Sequence, residues 1–315
     1  MALERKTKII IAAVALVAIL VVAGAAAVLT LPSTSDTSSG TSSGTIQVVA
    51  AENFWGSLVS QLGGSHVQVL SIVSDPNADP HEYESNVVDA RAIATADYII
   101  INGAGYDSWA QDLIDAGIKS DAKVLNVADL LGKKEGDNPH FWYDPAYVNE
   151  VVSQMKSDLL SIDPANTTYY QQQYSDLNSS LGQYQKQIAE IKTQFAGTHV
   201  AATESIFEYL ANASGLDLVS PTAFMEAVAE GNDPPAQSIV TFQQQLESGN
   251  VSVLVYNQQT VTPLTTEMKQ LAAANNVTVI GVTETIQPPN VSFQDWMYGE
   301  VNTLYNALQA KTLGA

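Results

Sequence analysis

The chain has 315 residues, 46% of them hydrophobic, and a formal net charge of −20. That length suffices for two domains with packed cores, and the charge argues against a nucleic-acid partner, whose phosphates it would repel. There is no cysteine, which excludes thiolate zinc sites, thiol catalysis, disulfides and a lipid anchor on an acylated cysteine.

Residues 1–31 read as a signal or membrane anchor. Arg5, Lys6 and Lys8 precede an uncharged apolar run, Ile9 to Leu31, about long enough to cross a bilayer as a helix. The small residues Ala23 to Ala27 would equally suit a signal peptidase. In either case the basic flank places the body of the protein outside the cytoplasmic membrane. Residues 32–45 are nearly all Ser, Thr and Gly and read as a tether. Six Asn-X-Ser/Thr triplets follow, at Asn166, Asn178, Asn212, Asn250, Asn276 and Asn290, in keeping with an extracytoplasmic glycoprotein.

From Ile46 to about residue 160 the pattern is that of an α/β lobe. Strands are expected at Ile46–Ala51, Val67–Val73, Tyr98–Ile101 and Ala122–Val127, each short and continuously apolar, as in a parallel sheet covered on both faces. Helices are expected between them at Phe54–Leu62, Val87–Ala96 and Trp109–Ala116, with Val87, Val88, Ala92 and Ile93 on one face of the second. Residues 161–196 form a separate segment. Asp163-Pro164 reads as an N-cap followed by proline at the first helical position. Apolar residues then recur at Tyr170, Tyr174, Leu177, Leu181, Tyr184, Ile188, Ile191 and Phe195, a single stripe on one long helix. From residue 197 to the end the α/β pattern resumes. Strands are expected at His199–Thr203, Leu216–Val219, Val251–Tyr256 and Val277–Val282, and helices at Phe207–Ala213, Ile239–Leu246, Leu264–Ala274 and Trp296–Leu308. The fold class is therefore α/β, with two doubly wound parallel-sheet lobes of four strands each, bridged by one long helix.

Open α/β sheets gather ligands at the carboxyl ends of their strands. In the first lobe His81 follows the second strand, in Asp79-Pro80-His81-Glu82-Tyr83-Glu84, on a loop stiffened by Pro76 and Pro80. His140 follows the fourth strand, in Asn138-Pro139-His140-Phe141-Trp142-Tyr143-Asp144-Pro145. In the second lobe Glu204 directly follows the first strand and Glu284 the last. Two neutral imidazoles and two carboxylates would neutralise a divalent cation and give it a mixed nitrogen and oxygen shell. Each carboxylate has a structural alternative: Glu204 as a helix N-terminal acid, Glu284 as an exposed loop acid. Glu84, Asp107 and Asp144 are candidate acceptors for imidazole N–H groups, or surface ion-pair partners.

These segments resemble the zinc and manganese group of solute-binding proteins of ABC importers. The likeness runs over about residues 46–310. Asp79 to Glu84 match an Asp-Pro-His-x-Tyr-Glu segment, continued by Asp89-Ala90-Arg91. Asn102-Gly103-Ala104-Gly105 before Asp107 and Trp109 match a second segment. Asn138 to Pro145 match a third, with Asn138 where that group has Asp. Glu204, three residues before Phe207-Glu208-Tyr209, matches the third ligand. Glu284 stands where the fourth is usually Asp.

The resemblance implies a cleft site with His81, His140, Glu204 and Glu284 as metal ligands. It implies Zn²⁺ or Mn²⁺ as transported cargo, no organic cofactor, no catalysis, and an ABC permease in the cytoplasmic membrane as partner. A monomer is expected, held at the cell surface by the N-terminal segment or secreted after its cleavage. Zinc-specific members often carry a His-rich loop before the second His motif, and Leu131 to Asp137 has none. Two rival readings stand beside it. One is a metal-dependent hydrolase with a His/His/Glu site and an open water position. The other is the same scaffold binding an organic ligand or another cell's surface.

Overall fold

The apolar runs at 46 and 98 become the central strands of a parallel sheet because both of their faces are covered, and the run at 67 becomes its partly exposed edge. The computed structural model describes residues 44–77 and 80–313. The first sheet contains β1 (Ile46–Glu52), β2 (Val67–Val73), β3 (Tyr98–Ile101) and β4 (Lys123–Asn126), in the order β2-β1-β3-β4. Val48 of β1 pairs with Val69 on one side and Tyr98 on the other, both parallel. Alternate residues point to opposite faces. Val48, Ala50, Tyr98 and Ile100 therefore enter the main core, while Val49, Ala51, Ile99 and Ile101 pack in a smaller outer cluster. The intervening helices are α1 (Asn53–Gly63), α2 (Val87–Thr95) and α3 (Ser108–Ala116).

After β4 the chain differs from the sequence expectation. A short helix, α4 (Val127–Leu130), follows directly, and an 18-residue helix, α5 (Pro145–Ile162), follows the His140 segment. Asp144 caps α5 by accepting from the Ala146 N–H at 2.8 Å, with Pro145 in the first turn. Asp163-Pro164 does not cap the long helix. It opens a 3-10 turn, Pro164–Asn166, with no side-chain capping bond. Asp163 instead accepts from Tyr170 Oη at 2.9 Å and Asn166 Nδ2 at 2.7 Å. The long helix, α6 (Thr167–Phe195, 29 residues), starts just after that turn. Its stripe is buried at seven positions, and Tyr174 is half-buried.

The second sheet repeats the topology. Its strands are β5 (His199–Ala202), β6 (Asp217–Leu218), β7 (Val253–Asn257) and β8 (Thr278–Val282), parallel in the order β6-β5-β7-β8. Its helices are α7 (Glu208–Ala213), α8 (Thr222–Ala229), α9 (Ala236–Glu247), α10 (Pro263–Ala274) and α11 (Phe293–Leu313). Of these α8 has no counterpart in the sequence expectation. Phe224, Phe242, Leu246, Leu254 and Met268 close the outer face of this sheet.

One continuous core joins the inner faces of both sheets, and everything from Gly44 onward forms one compact body. Two helices hold it together. Helix α6 packs against α1 and α5 of the first lobe and α7 and α11 of the second. Helix α11 leaves the second sheet and returns against α6 and α1 of the first lobe, with Phe293 and Trp296 in the shared core. Ser57 Oγ of α1 accepts from the Phe293 N–H at 3.1 Å, and Gln61 and Gln294 exchange amide hydrogen bonds at 3.1 and 2.8 Å. Residues 1–43, with the expected targeting segment and most of the tether, lie outside the described residues. Among the described residues no helix is long and apolar enough to cross a membrane.

Candidate metal centre

The carboxyl ends of the two sheets face one another, and four loops bring side chains into the gap. His81 sits on a 3-10 turn, Pro80–Glu82, beyond β2. The exit of that loop is pinned by Asp89, which accepts from Tyr83 Oη and the Asn86 N–H, both at 2.8 Å. Asn86 in turn caps α2. This explains why Val87 and Val88, expected on the packed face, are exposed at 80% and 71%. The inward position of the first turn goes to Asp89, with Ile93 below it.

His140 is fully buried. Its Nδ1 lies 2.6 Å from Asn138 Oδ1, which also accepts from the His140 N–H at 3.1 Å. The Asn138 amide nitrogen donates across the gap to Ser205 O at 2.8 Å and Glu208 Oε2 at 2.9 Å. Those partners fix which end of the amide faces the imidazole. Nδ1 therefore carries a proton, and Nε2 is the ring atom that faces Glu284: protonated when the imidazole is cationic, and offering its lone pair to an ion when it is neutral. The segment is held from behind as well: Pro139 O accepts from Asn102 Nδ2 at 2.9 Å, and Asn102 Oδ1 from Trp55 Nε1 at 3.1 Å.

The turn after β3 requires left-handed backbone at three successive residues, Gly103, Ala104 and Gly105. A Cβ on Gly103 would collide with Asn126 Oδ1, so this position suits glycine alone. Asp107 is buried beneath the turn and accepts from the N–H groups of Asn102 and Gly103 at 2.6 and 2.8 Å. Burial pushes its carboxyl up to about 6 despite those donors. Glu52, at the end of β1, is pushed well above its ordinary value, first by burial and then by the Asp107 charge. The proton of this carboxyl pair therefore rests on Glu52.

Glu284 completes the group from the second lobe. It is fully buried, where an exposed loop acid was the alternative. Its Oε1 lies 3.4 Å from His140 Nε2 and 3.7 Å from His81 Nε2. Asn257 Nδ2 donates to the same oxygen at 2.7 Å, and Tyr106 Oη donates to Oε2 at 2.7 Å. Burial raises its pKa, but the His140 and His81 charges and the Tyr106 hydroxyl outweigh burial and bring it to about 2. One ligand atom from each of His81, His140 and Glu284 falls within 4.8 Å of the other two.

Glu204 lies outside that trio. It is buried, with extended backbone, at the entry to the 3-10 turn Ser205–Phe207, and it makes no capping bond there. Its charge and that of Glu284 both bear on the Tyr143 hydroxyl. Of the three acids expected to support the imidazoles, Glu84 is exposed, Asp144 caps α5 and Asp107 holds the turn after β3. The acceptor on His140 Nδ1 is Asn138. Beside the centre is a cavity of about 380 Å³, lined by His81, Tyr106 and the acids Glu135, Asp137, Glu208 and Glu226.

Residues 48–307 match the family model described as zinc-uptake complex component A, periplasmic. The chain belongs to that family. It is a family of solute-binding components of ABC importers rather than of enzymes, and it gives the hydrolase reading no support. Among curated relatives, the manganese-binding lipoprotein MntA of Halalkalibacterium halodurans is 28% identical over 186 residues, 55% of this chain and 59% of that one. The high-affinity zinc uptake system protein ZnuA of Bacillus subtilis is 20% identical over 264 residues, 77% of this chain and 82% of its own length. Among solved structures, the SBP FpvC from Pseudomonas aeruginosa in complex with Mn²⁺ superposes with a TM-score of 0.70 at 18% identity, over 84% of this chain and 98% of that one. A crystal structure of ZnuA gives 0.66 at 17% identity, over 84% and 99%. At such identities the structural likeness speaks for the fold.

Proposed function

We propose that this protein captures a divalent transition-metal ion, Zn²⁺ or Mn²⁺, outside the cytoplasmic membrane and delivers it to a permease of the ABC type. The observation that carries this reading is the convergence of two imidazoles from the first lobe and one carboxylate from the second on one point, with His140 and Glu284 fully buried and His81 partly exposed. His81 Nε2, His140 Nε2 and Glu284 Oε1 supply three ligands. Glu204, buried just past the carboxyl end of β5, supplies the fourth when its carboxylate turns into the gap. Two carboxylates and two neutral imidazoles leave a divalent ion with no net charge, which is what a buried site requires. The acid-lined cavity at the mouth attracts cations and repels anions.

The relatives named above as lipoproteins differ from this chain, which has no cysteine to acylate. Here the apolar run Ile9 to Leu31 serves as the anchor, or as a signal that is cut. Residues 46–160, 161–196 and 197–315 are the two lobes and the bridge in functional terms, and the chain acts as a monomer. The test is calorimetric titration of Zn²⁺ and Mn²⁺ into the apo protein and a His81→Ala, His140→Ala double variant. One ion per chain should bind the parent and none the variant at the same concentrations. Equal affinity in the two proteins would overturn the reading.

A further inference from the structure

Tyr106 makes a polar contact that crosses the gap between the lobes at the site itself. It is 3% exposed and sits at the end of the left-handed turn after β3. Its ring stands edge-on to that of His81, with centroids 4.6 Å apart. Its hydroxyl donates to Glu284 Oε2 at 2.7 Å. The other oxygen, Oε1, faces the imidazoles and accepts from Asn257. The two carboxylate oxygens are thus assigned different tasks. One faces the ion position, and the other is held by a phenol.

We propose that Tyr106 is a specificity-determining positioning residue that keeps Glu284 a one-oxygen ligand and so tilts the site towards Zn²⁺ over Mn²⁺. The inference rests on Glu284 being a ligand, as argued above. Zn²⁺ is satisfied by four ligands in a tetrahedron, so one oxygen from Glu284 suffices. Mn²⁺ favours six oxygen-rich ligands. With His140 and Glu284 fully buried, it would approach that number by drawing both oxygens of a carboxylate onto the ion. Turning Oε2 inward breaks a charge-assisted hydrogen bond to a buried phenol. The cost falls on the two-oxygen mode alone. Removing the hydroxyl lifts that cost from the two-oxygen mode and leaves the one-oxygen mode unchanged relative to the empty site, so the preference for zinc falls.

The experiment is competitive titration of Zn²⁺ and Mn²⁺ into the wild-type protein and Tyr106→Phe, which keeps the ring and loses the hydroxyl, with His140→Ala as control. The zinc-to-manganese affinity ratio should fall about tenfold or more in Tyr106→Phe, the weight of one such hydrogen bond. X-ray absorption of the Mn²⁺-loaded variant should show the short ion-to-carbon distance of a two-oxygen carboxylate. An unchanged ratio, including equal losses for both ions, overturns the proposal. If His140→Ala binds as well as wild type, the ligand assignment beneath it falls too; if His140→Ala loses both ions while the Tyr106→Phe ratio stands still, the Tyr106 inference alone fails. Should Tyr106→Phe not fold, X-ray absorption on the wild-type protein with Mn²⁺ decides. Single-oxygen carboxylates support the role of Tyr106, and a two-oxygen signature rejects it.

Discussion

Glu284 is an acid kept ionised in a place where burial alone would neutralise it, and its neighbours explain how. The His140 and His81 charges and the Tyr106 hydroxyl bring its pKa to about 2. Its contribution to stability is therefore present above the ordinary carboxylate range and lost only as pH falls through about 2. Acid release of the ion must begin elsewhere, at the imidazoles. They bind metal only when neutral, so affinity should drop as acid protonates them. Titrations from pH 8 to pH 5 in constant salt should show that loss. A flat profile would mean that the histidines are not ligands. Asn138 offers a second check. Replacing it with Ala frees the His140 tautomer and severs the link to Glu208, and should weaken binding by roughly 10- to 100-fold.

The histidines and Glu284 were legible in the sequence because each lies a short way past a strand end in an α/β pattern. Asn138, Tyr106 and Asn257 were not legible in these roles. Each acts through a hydrogen bond, and that of Tyr106 reaches a residue 178 positions away. Only the folded chain brings such pairs together.

At the scale of elements, the strands were readable because both faces of each sheet are covered, and α6 because its stripe is unbroken. Helix α5 is not among the expected helices although Val148, Val151, Val152, Met155 and Leu159 are all buried along it. Its start, Asp144-Pro145, lies inside the histidine motif. The first turn of α2 departs from the expected packed face because Asn86 and Asp89 close a capping box, and polar capping there outweighs the burial of two valines. Two elements carry predictions. Gly103→Ala forces a left-handed residue against Asn126 and should cost about 1–3 kcal/mol in chemical unfolding. In α11, partial burial lifts Glu300 from an ordinary 4.5 to about 7, although it accepts from Thr283 Oγ1 and Trp296 Nε1. A raised carboxyl stabilises the fold fully below its unfolded pKa, and the effect fades as pH rises through the folded value. Between pH 5 and pH 8 the wild-type protein should lose roughly 2 kcal/mol through this group, at about 1.4 kcal/mol per pKa unit. Glu300→Gln should flatten that slope in thermal melts at the two pH values. An unaltered slope would place the titration elsewhere.

At the scale of the whole molecule, two four-stranded lobes and a long helix were expected and are present. The second connection, made by α11, was not expected, since its reach back to α1 depends on how the lobes are arranged. Phe293 is fully buried where α11 joins that shared core and meets the rings of Tyr184 and Trp296. Phe293→Ala should cost about 3–5 kcal/mol in unfolding free energy. Because one core joins the lobes, the loss should appear as a single lowered transition. Two separated transitions would show that the lobes melt independently.

The returning helix also sets an order of events during synthesis. Glu284, Phe293 and the glutamine clasp at Gln294 all emerge long after the two histidines. Until they do, the amino-terminal half presents two imidazoles with no opposing acid from beyond β8 and no strap to draw the halves together. On the ligand set proposed above, a chain stopped before residue 284 should bind no ion.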